Sequence, residues 1–166
     1  LRLGVPVDLS GMDREFIARR ADHSALRIWL RLLTCTQLIE RRVRSGLREE
    51  FSTTLPRFDL MAQLERHREG LKMNELSRLL MVTGGNVTAI VDQLEKEGQV
   101  ERLDEPADRR AFRIRLTKSG EKSFAEMARA HEQWIVQLLG GLSRREQDEL
   151  LRLLAKVKMH AVEVTS

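Results

Sequence analysis

VTGGNVTAIVDQLEKEG (82–98) and VERLDEPADRRAFRIRLT (100–117) decide how this 166-residue chain folds. In the first stretch Val87, Ile90, Val91 and Leu94 recur at helical spacing, which predicts a helix over 84–97 with those side chains inward. Gly85, Asn86, Thr88, Ala89 and Gln93 are left on its outer face. Gly98 supplies the stop, because glycine readily enters the left-handed conformation that ends many helices. The second stretch reads as two strands, 100–103 and 112–116, around a polar loop containing Pro106. Arg113 and Arg115 alternate with Ile114, so the two-residue period of a strand puts both guanidinium groups on one face. A short helix beside a two-stranded basic ribbon can grip a nucleic-acid duplex at two places at once.

Immediately upstream, NELSRLL (74–80) predicts another short helix over 73–80, with Met81 and Val82 as the turn. Two short helices joined by a tight turn form the minimal helix-turn-helix, whose second helix enters the major groove. The outer face suits that role. Asn86 and Gln93 present donors and acceptors that match adenine edges, and Thr88 and Ala89 suit contact with a thymine methyl. Thr83 can cap the helix, while Gly84 and Gly85 let its positive end come close to a phosphate. Taken alone, the pattern is equally that of a partly polar surface helix.

The ribbon adds charge. Over 109–118 five residues are basic and none is acidic, a local block that attracts phosphate although the whole chain carries a formal charge of only +4. An arginine at the loop tip fits a narrow minor groove, and Asp108 is placed to brace one while aiming the other. The plain alternative is a solvated hairpin.

Working outward, residues 1–12 carry Gly4, Pro6 and Gly11 and no helical period, which predicts a flexible arm. Leu26, Trp29, Leu30, Leu33, Ile39 and Val43 predict a long helix over 25–51, with Gly46 as the place for a bend or break. TTLP (53–56) resembles a helix start, with threonine at the cap and Pro56 in the first turn. Phe58, Met61 and Leu64 give that helix an apolar face, and Gly70 ends it. Beyond the ribbon a helix over 118–139 closes at Gly140 and Gly141. The last helix starts at Ser143, which forms a capping box with Glu146, and Leu150, Leu151, Leu154 and Val157 continue its apolar face.

Hydrophobic residues make up 42% and charged residues 33% of the chain, a balance that suits a helical globular protein. No apolar stretch has the length needed to cross a bilayer, and LRLGVPVDLSGMDREF (1–16) lacks the basic-then-apolar layout of a secretory signal. The expectation is a cytoplasmic protein with no membrane partner. One cysteine, Cys35, excludes an intrachain disulfide. No nucleophile–base arrangement, phosphate-binding glycine loop or metal-ligand motif is present, and His23, His67, His131 and His160 are scattered. An enzyme, a cofactor and a metal are therefore not expected.

The sequence resembles the MarR family of winged-helix regulators. The resemblance rests on LPRFDLMAQL (55–64), NELSRLL (74–80), TGGNVTAIVDQLEKEG (83–98) and DRRAFRIRLTKSG (108–120), of which Asp-x-Arg followed by Leu-Thr-x-x-Gly is the most specific part. It implies a mainly α fold with a small β wing, a winged helix-turn-helix carried between long N- and C-terminal dimerisation helices. The corresponding division is an arm or helix extension over 1–21, a dimerisation helix over 22–52, the DNA-binding domain over 53–120 and C-terminal dimerisation helices over 121–166. Arg110 takes the role of the minor-groove arginine, with Asp108 as its brace. Thr83, Gly85, Asn86, Thr88 and Ala89 take the recognition-helix role, and Gln93, Arg109 and Arg113 complete the DNA-facing set. Lys72 and Gln99 depart from the family pattern. Lys72 stands where a capping Ser or Thr is frequent, and Gln99 where an apolar residue usually precedes Val100.

The resemblance also implies a homodimer on a pseudo-palindromic site in double-stranded DNA, with recognition helices about 10 base pairs apart. Such a regulator is expected to be a repressor, released by a small aromatic or amphipathic effector such as an aromatic acid or its CoA thioester. Trp29, Phe58, Met61 and Trp134 are candidates for the apolar lining of an effector pocket. Arg20, Arg27 and Arg31 are candidates for pairing with its carboxylate or phosphate. Ordinary core packing and a solvated helix face are the respective alternatives. Cys35 opens a redox-responsive regulator as another reading, although its place in a hydrophobic helix favours a buried structural thiol. A helical protein-interaction module is the remaining rival.

Overall fold

The computed structural model describes residues 24–80, 84–105 and 108–165, and at 105 and 108–111 the description is limited to the backbone. In chain order the elements are α1 (Ser24–Phe51), α2 (Leu55–Arg66), β1 (Leu71–Lys72), α3 (Met73–Leu80), α4 (Gly84–Lys96), β2 (Val100–Glu105), β3 (Asp108–Leu116), α5 (Lys118–Leu139) and α6 (Arg144–Thr165). The mainly helical fold with a small sheet agrees with expectation. The arm over 1–12 lies outside the described residues, as does the turn at Met81 and Val82.

Helix α1 runs unbroken through Gly46, against the expected bend. The glycine answers a packing need instead. A Cβ at Gly46 would stand 2.5 Å from Cζ2 of Trp134, so the missing side chain is a notch that lets the α5 indole lie against α1. The Arg42 guanidinium covers the same ring, 4.9 Å from its centroid, and Phe51 meets it edge-on at 6.5 Å.

Helix α1 ends in an αL cap, in which the Ser52 amide donates to the Arg48 carbonyl, and the Thr53 amide donates to that of Leu47. Ser52 occupies the left-handed position with φ 50°, where a non-glycine residue costs about 1 kcal/mol. Helix α2 then starts at the predicted place. Thr54 is extended and Pro56 sits in the first turn, but the threonine hydroxyl forms no cap hydrogen bond.

Leu47, Leu60, Leu64, Leu76, Val87, Val91, Leu94 and Ile114 are all at most 1% exposed and form one core between α1, α2, α3, α4 and the sheet. Burying each such side chain contributes about 1.5–3 kcal/mol before ordering costs. The sheet has three strands rather than the expected two, in the order β1-β3-β2 and antiparallel throughout. β1 is two residues long, too short to show a period. It exists because Leu71 and Lys72 pair with Ile114 and Arg113, with Leu71 joining Ile114 in the core. β2 and β3 extend beyond the predicted strands toward the loop, with a bulge between Asp104 and Glu105.

Helix α5 begins at Thr117, whose hydroxyl oxygen accepts from the Gly120 amide at 3.0 Å. Helix α6 begins at the expected capping box: the Ser143 amide donates to Glu146 Oε2 at 2.8 Å and the Ser143 hydroxyl donates to the same oxygen at 2.7 Å. No residue of α6 is buried.

Candidate nucleic-acid interface

Helix α4 buries Val87, Val91 and Leu94 and leaves Gly85, Asn86, Thr88, Ala89 and Gln93 exposed, as the spacing requires. The Thr88 hydroxyl donates to the Gly84 carbonyl at 3.1 Å, which orients it within its own helix. A Cβ on Gly85 would meet nothing within 4 Å. The fold of the single chain therefore gives no reason for glycine there, and the open space lies on the outer face. A cleft of about 360 Å³ opens beside Asn86 and Ala89 and is lined also by Pro56, Leu80, Ile90 and Asp59. Burial pushes the Asp59 carboxyl above its ordinary 3.8, with Glu40 adding to the rise, and His131 and Arg44 oppose it.

Two joints hold the wing against this helix. The first is Arg102 on β2, which sequence reasoning missed. Its guanidinium pairs with Asp92 and, at 3.5 Å, with Glu95, both on α4, and lies 5.0 Å from the centroid of the Phe112 ring on β3. One cation thus joins α4 to both long strands. The available signal was an acid pair three residues apart on one helix face, followed by an arginine just past the helix stop.

The second joint lies at the other end of the wing. Gly98, at φ 68°, lets the Gln99 amide turn back to the Leu94 carbonyl at 2.8 Å. The Thr117 hydroxyl donates to the Gly98 carbonyl at 2.6 Å, and the Thr117 amide donates to that of Gln99 at 3.0 Å. A Cβ on Gly120 would overlap the Gln99 carbonyl oxygen. This is the physical content of Leu-Thr-x-x-Gly. Leu116 enters the core, Thr117 ties α5 to the end of α4, and Gly120 lets the two backbones touch.

On β3, Ile114 is buried while Arg113 and Arg115 take the opposite face. Arg115 pairs with Glu101 across the strands at 2.6 Å. Arg113 Nη1 donates to the Gly70 carbonyl at 3.0 Å, so this expected DNA contact also secures the approach to β1. Thr83 and the side chains of Asp108, Arg109 and Arg110 lie outside the described residues. Lys72 needs no hydroxyl to start α3, because its amide donates to Glu75 Oε2 at 2.7 Å.

Of the expected effector lining, Phe58, Met61 and Trp134 share one core cluster and Trp29 stands apart from it. Phe58 stacks on Phe124 and His131, with ring centroids 5.4 and 5.1 Å apart, and Met61 and Trp134 are likewise core residues. Trp29 stands 57% exposed on the outer half of α1, with Arg27 and Arg31 also on exposed positions. Arg20 lies outside the described residues. Cys35 is exposed rather than buried, because the hydrophobic half of α1 before Ile39 extends past the core that this one chain supplies.

The MarR family model matches residues 53–112. The transcriptional repressor MprA of Escherichia coli K12 is 30% identical over 123 residues, 74% of this chain and 69% of its own length. Across the curated relatives it matches, the chain spans 58% to 69% of their length. A MarR family transcriptional regulator from Silicibacter pomeroyi superposes with a TM-score of 0.70 at 31% identity, covering 86% of this chain and 99% of that one. A MarR mutant from E. coli, solved with operator DNA, superposes with a TM-score of 0.65 at 26% identity over 76% of this chain and 89% of that one. With its helix-turn-helix, its wing and a relative this similar over most of both lengths, the chain belongs to the MarR family of winged-helix transcriptional regulators.

Proposed function

We propose that the protein is a homodimeric, sequence-specific regulator of transcription that binds double-stranded DNA as a repressor and is released by a small effector. The observation that carries this reading is the rigid pairing of two unlike surfaces. Small and amide side chains line the open face of α4, and Arg102 and Thr117 hold that face at a set angle to a basic wing. Asn86 and Gln93 read base edges in the major groove, Thr88 and Ala89 contact thymine methyls, and Gly85 admits close approach of a phosphate to the helix start. Arg110 enters the minor groove with Asp108 as brace, and Arg109 and Arg113 add phosphate contacts. That the similar E. coli protein was solved in complex with operator DNA supports DNA binding as the coarser part of this reading.

Dimerisation is supported by α6, which has no buried residue yet exposes Leu150, Leu151, Leu154 and Val157, and by the exposed Leu26, Ile28, Trp29 and Leu38 of α1. A second copy would cover both. It would also decide whether Arg27, Trp29 and Arg31 meet an effector, since α1 extends them beyond their own core.

The test is operator binding by Arg110→Ala at fixed salt, with oligomeric state followed by analytical ultracentrifugation. Affinity is expected to fall by roughly 5- to 150-fold, about 1–3 kcal/mol, with the dimer unchanged. Unchanged affinity would remove Arg110 from the interface.

A further inference from the structure

Two long helices leave the core together, and one contact fixes them near the level where they leave it. In α1 the buried residues are Val43, Gly46 and Leu47, and toward its start Leu38, Trp29, Ile28 and Leu26 stand exposed. In α5 the buried residues are Gly120, Met127 and Trp134, and toward its end Val136 and Leu138 stand exposed. Trp134 is thus the last buried residue of α5 among the described residues, and it lies against Gly46. Beyond this level both helices carry apolar side chains that one chain does not cover, as α6 does along its whole length.

The contact is tight on three sides. A Cβ added at Gly46 would stand 2.5 and 2.6 Å from Cζ2 and Cη2 of the indole, so the ring lies against the α1 backbone itself. The Arg42 guanidinium covers the ring at 4.9 Å from its centroid, and Phe51 closes it edge-on at 6.5 Å. How far apart two packed helices sit depends on the side chains between them, so the residue that fills this notch sets how α1 and α5 cross. From Gly46 back to Ser24, α1 extends about 33 Å. A change of about 6° in the crossing therefore moves the lobe by about 3.4 Å relative to the far end of α1, which is the axial rise of one base pair. At its other end α5 is joined to the end of α4 through Thr117 and Gly120, so a changed crossing carries α4 with it.

We propose that Trp134, seated in its Gly46 notch, is the positioning residue that sets the distance between the two recognition helices. It thereby selects the number of base pairs between half-sites, acting through α1 and α5 without touching DNA. The inference rests on the homodimer reading above, in which the exposed parts of α1 and α6 meet a second copy.

The test uses the full chain and a duplex selected from a random-sequence library by the unsubstituted protein, remade with its centre one base pair longer and one shorter. The unsubstituted protein should favour the selected spacing by about 10-fold or more. Trp134→Phe empties the notch and Gly46→Ala fills it with a methyl. Each should narrow that preference to less than about 3-fold or move it to another spacing. Combined, they put the methyl where the indole stood, and the double variant should recover the preference. A purely structural role lowers the active fraction and leaves the ratio between spacings as it was, so an unchanged ratio in the single variants overturns the proposal. If Gly46→Ala does not fold, the same ratio in Trp134→Phe decides. Sedimentation of the same samples separates the two readings. An unsubstituted dimer that binds every spacing alike overturns this inference alone, whereas a monomer overturns the homodimer reading and this inference with it.

Discussion

The winged-helix lobe and the C-terminal helix place the same kind of side chain in opposite surroundings. In the lobe Leu60, Leu64, Leu76 and Leu94 are at most 1% exposed, whereas in α6 Leu150, Leu151, Leu153 and Leu154 are 38–67% exposed. Both segments have well-made starts. In the lobe the Lys72 amide donates to Glu75 at the start of α3, and α6 has its Ser143–Glu146 box and the Glu149–Arg152 pair. Local devices of that kind contribute a few tenths of a kcal/mol to about one each, and isolated helices are marginal without tertiary burial. The lobe closes its core within one chain, whereas α6 buries nothing within its own chain, and the proposed dimer is argued from that exposure.

Breaking the lobe's tightest joint should have the largest effect. Gly120→Ala forces a methyl into the Gln99 carbonyl, and neither backbone can yield cheaply. Urea unfolding should register a loss of about 3 kcal/mol or more. Gly85→Ala is the contrasting case, because its Cβ meets open space. It should raise stability slightly, by about 0.5 kcal/mol, while weakening operator binding. A stability loss there would mean that the fold, and not the DNA, requires the glycine.

On the other side of the comparison, Leu150→Glu with Leu154→Glu should leave the lobe folded but shift the protein to monomer. Sedimentation should show a dimer Kd weakened by at least about 100-fold, on the order of 3 kcal/mol across the two copies. A dimer unchanged in this double variant would place the interface elsewhere.

A smaller loss than at Gly120 is expected for Arg102→Ala. Stability should fall by about 1 kcal/mol, because its ion pairs are partly exposed. Operator affinity should fall by more than that stability loss accounts for. In a double-mutant cycle with Arg110→Ala the two losses should be non-additive, since a loosened wing cannot deliver its arginine. Strict additivity would show that Arg102 does not position the wing.

Much of this was legible in the chain. Period and punctuation located α2, α3, α4 and the β2–β3 ribbon, because Pro56, Gly98 and the Ser143–Glu146 pair act within a few residues of themselves. The outward set of α4 followed from geometry alone, since a helix that buries Val87, Val91 and Leu94 must expose Asn86 and Thr88. What the sequence by itself determined is therefore the local order: where elements begin, which face each one buries, and where positive charge gathers. Tertiary structure alone decided the long-range assignments. It made Gly46 a notch for Trp134 rather than a bend, recruited two residues as β1, and set Arg102 between two acids on another element. It also buried Phe58, Met61 and Trp134 while leaving Trp29 and Cys35 outside. Those outcomes depend on side chains tens of residues apart meeting in space, and no local period carries that information.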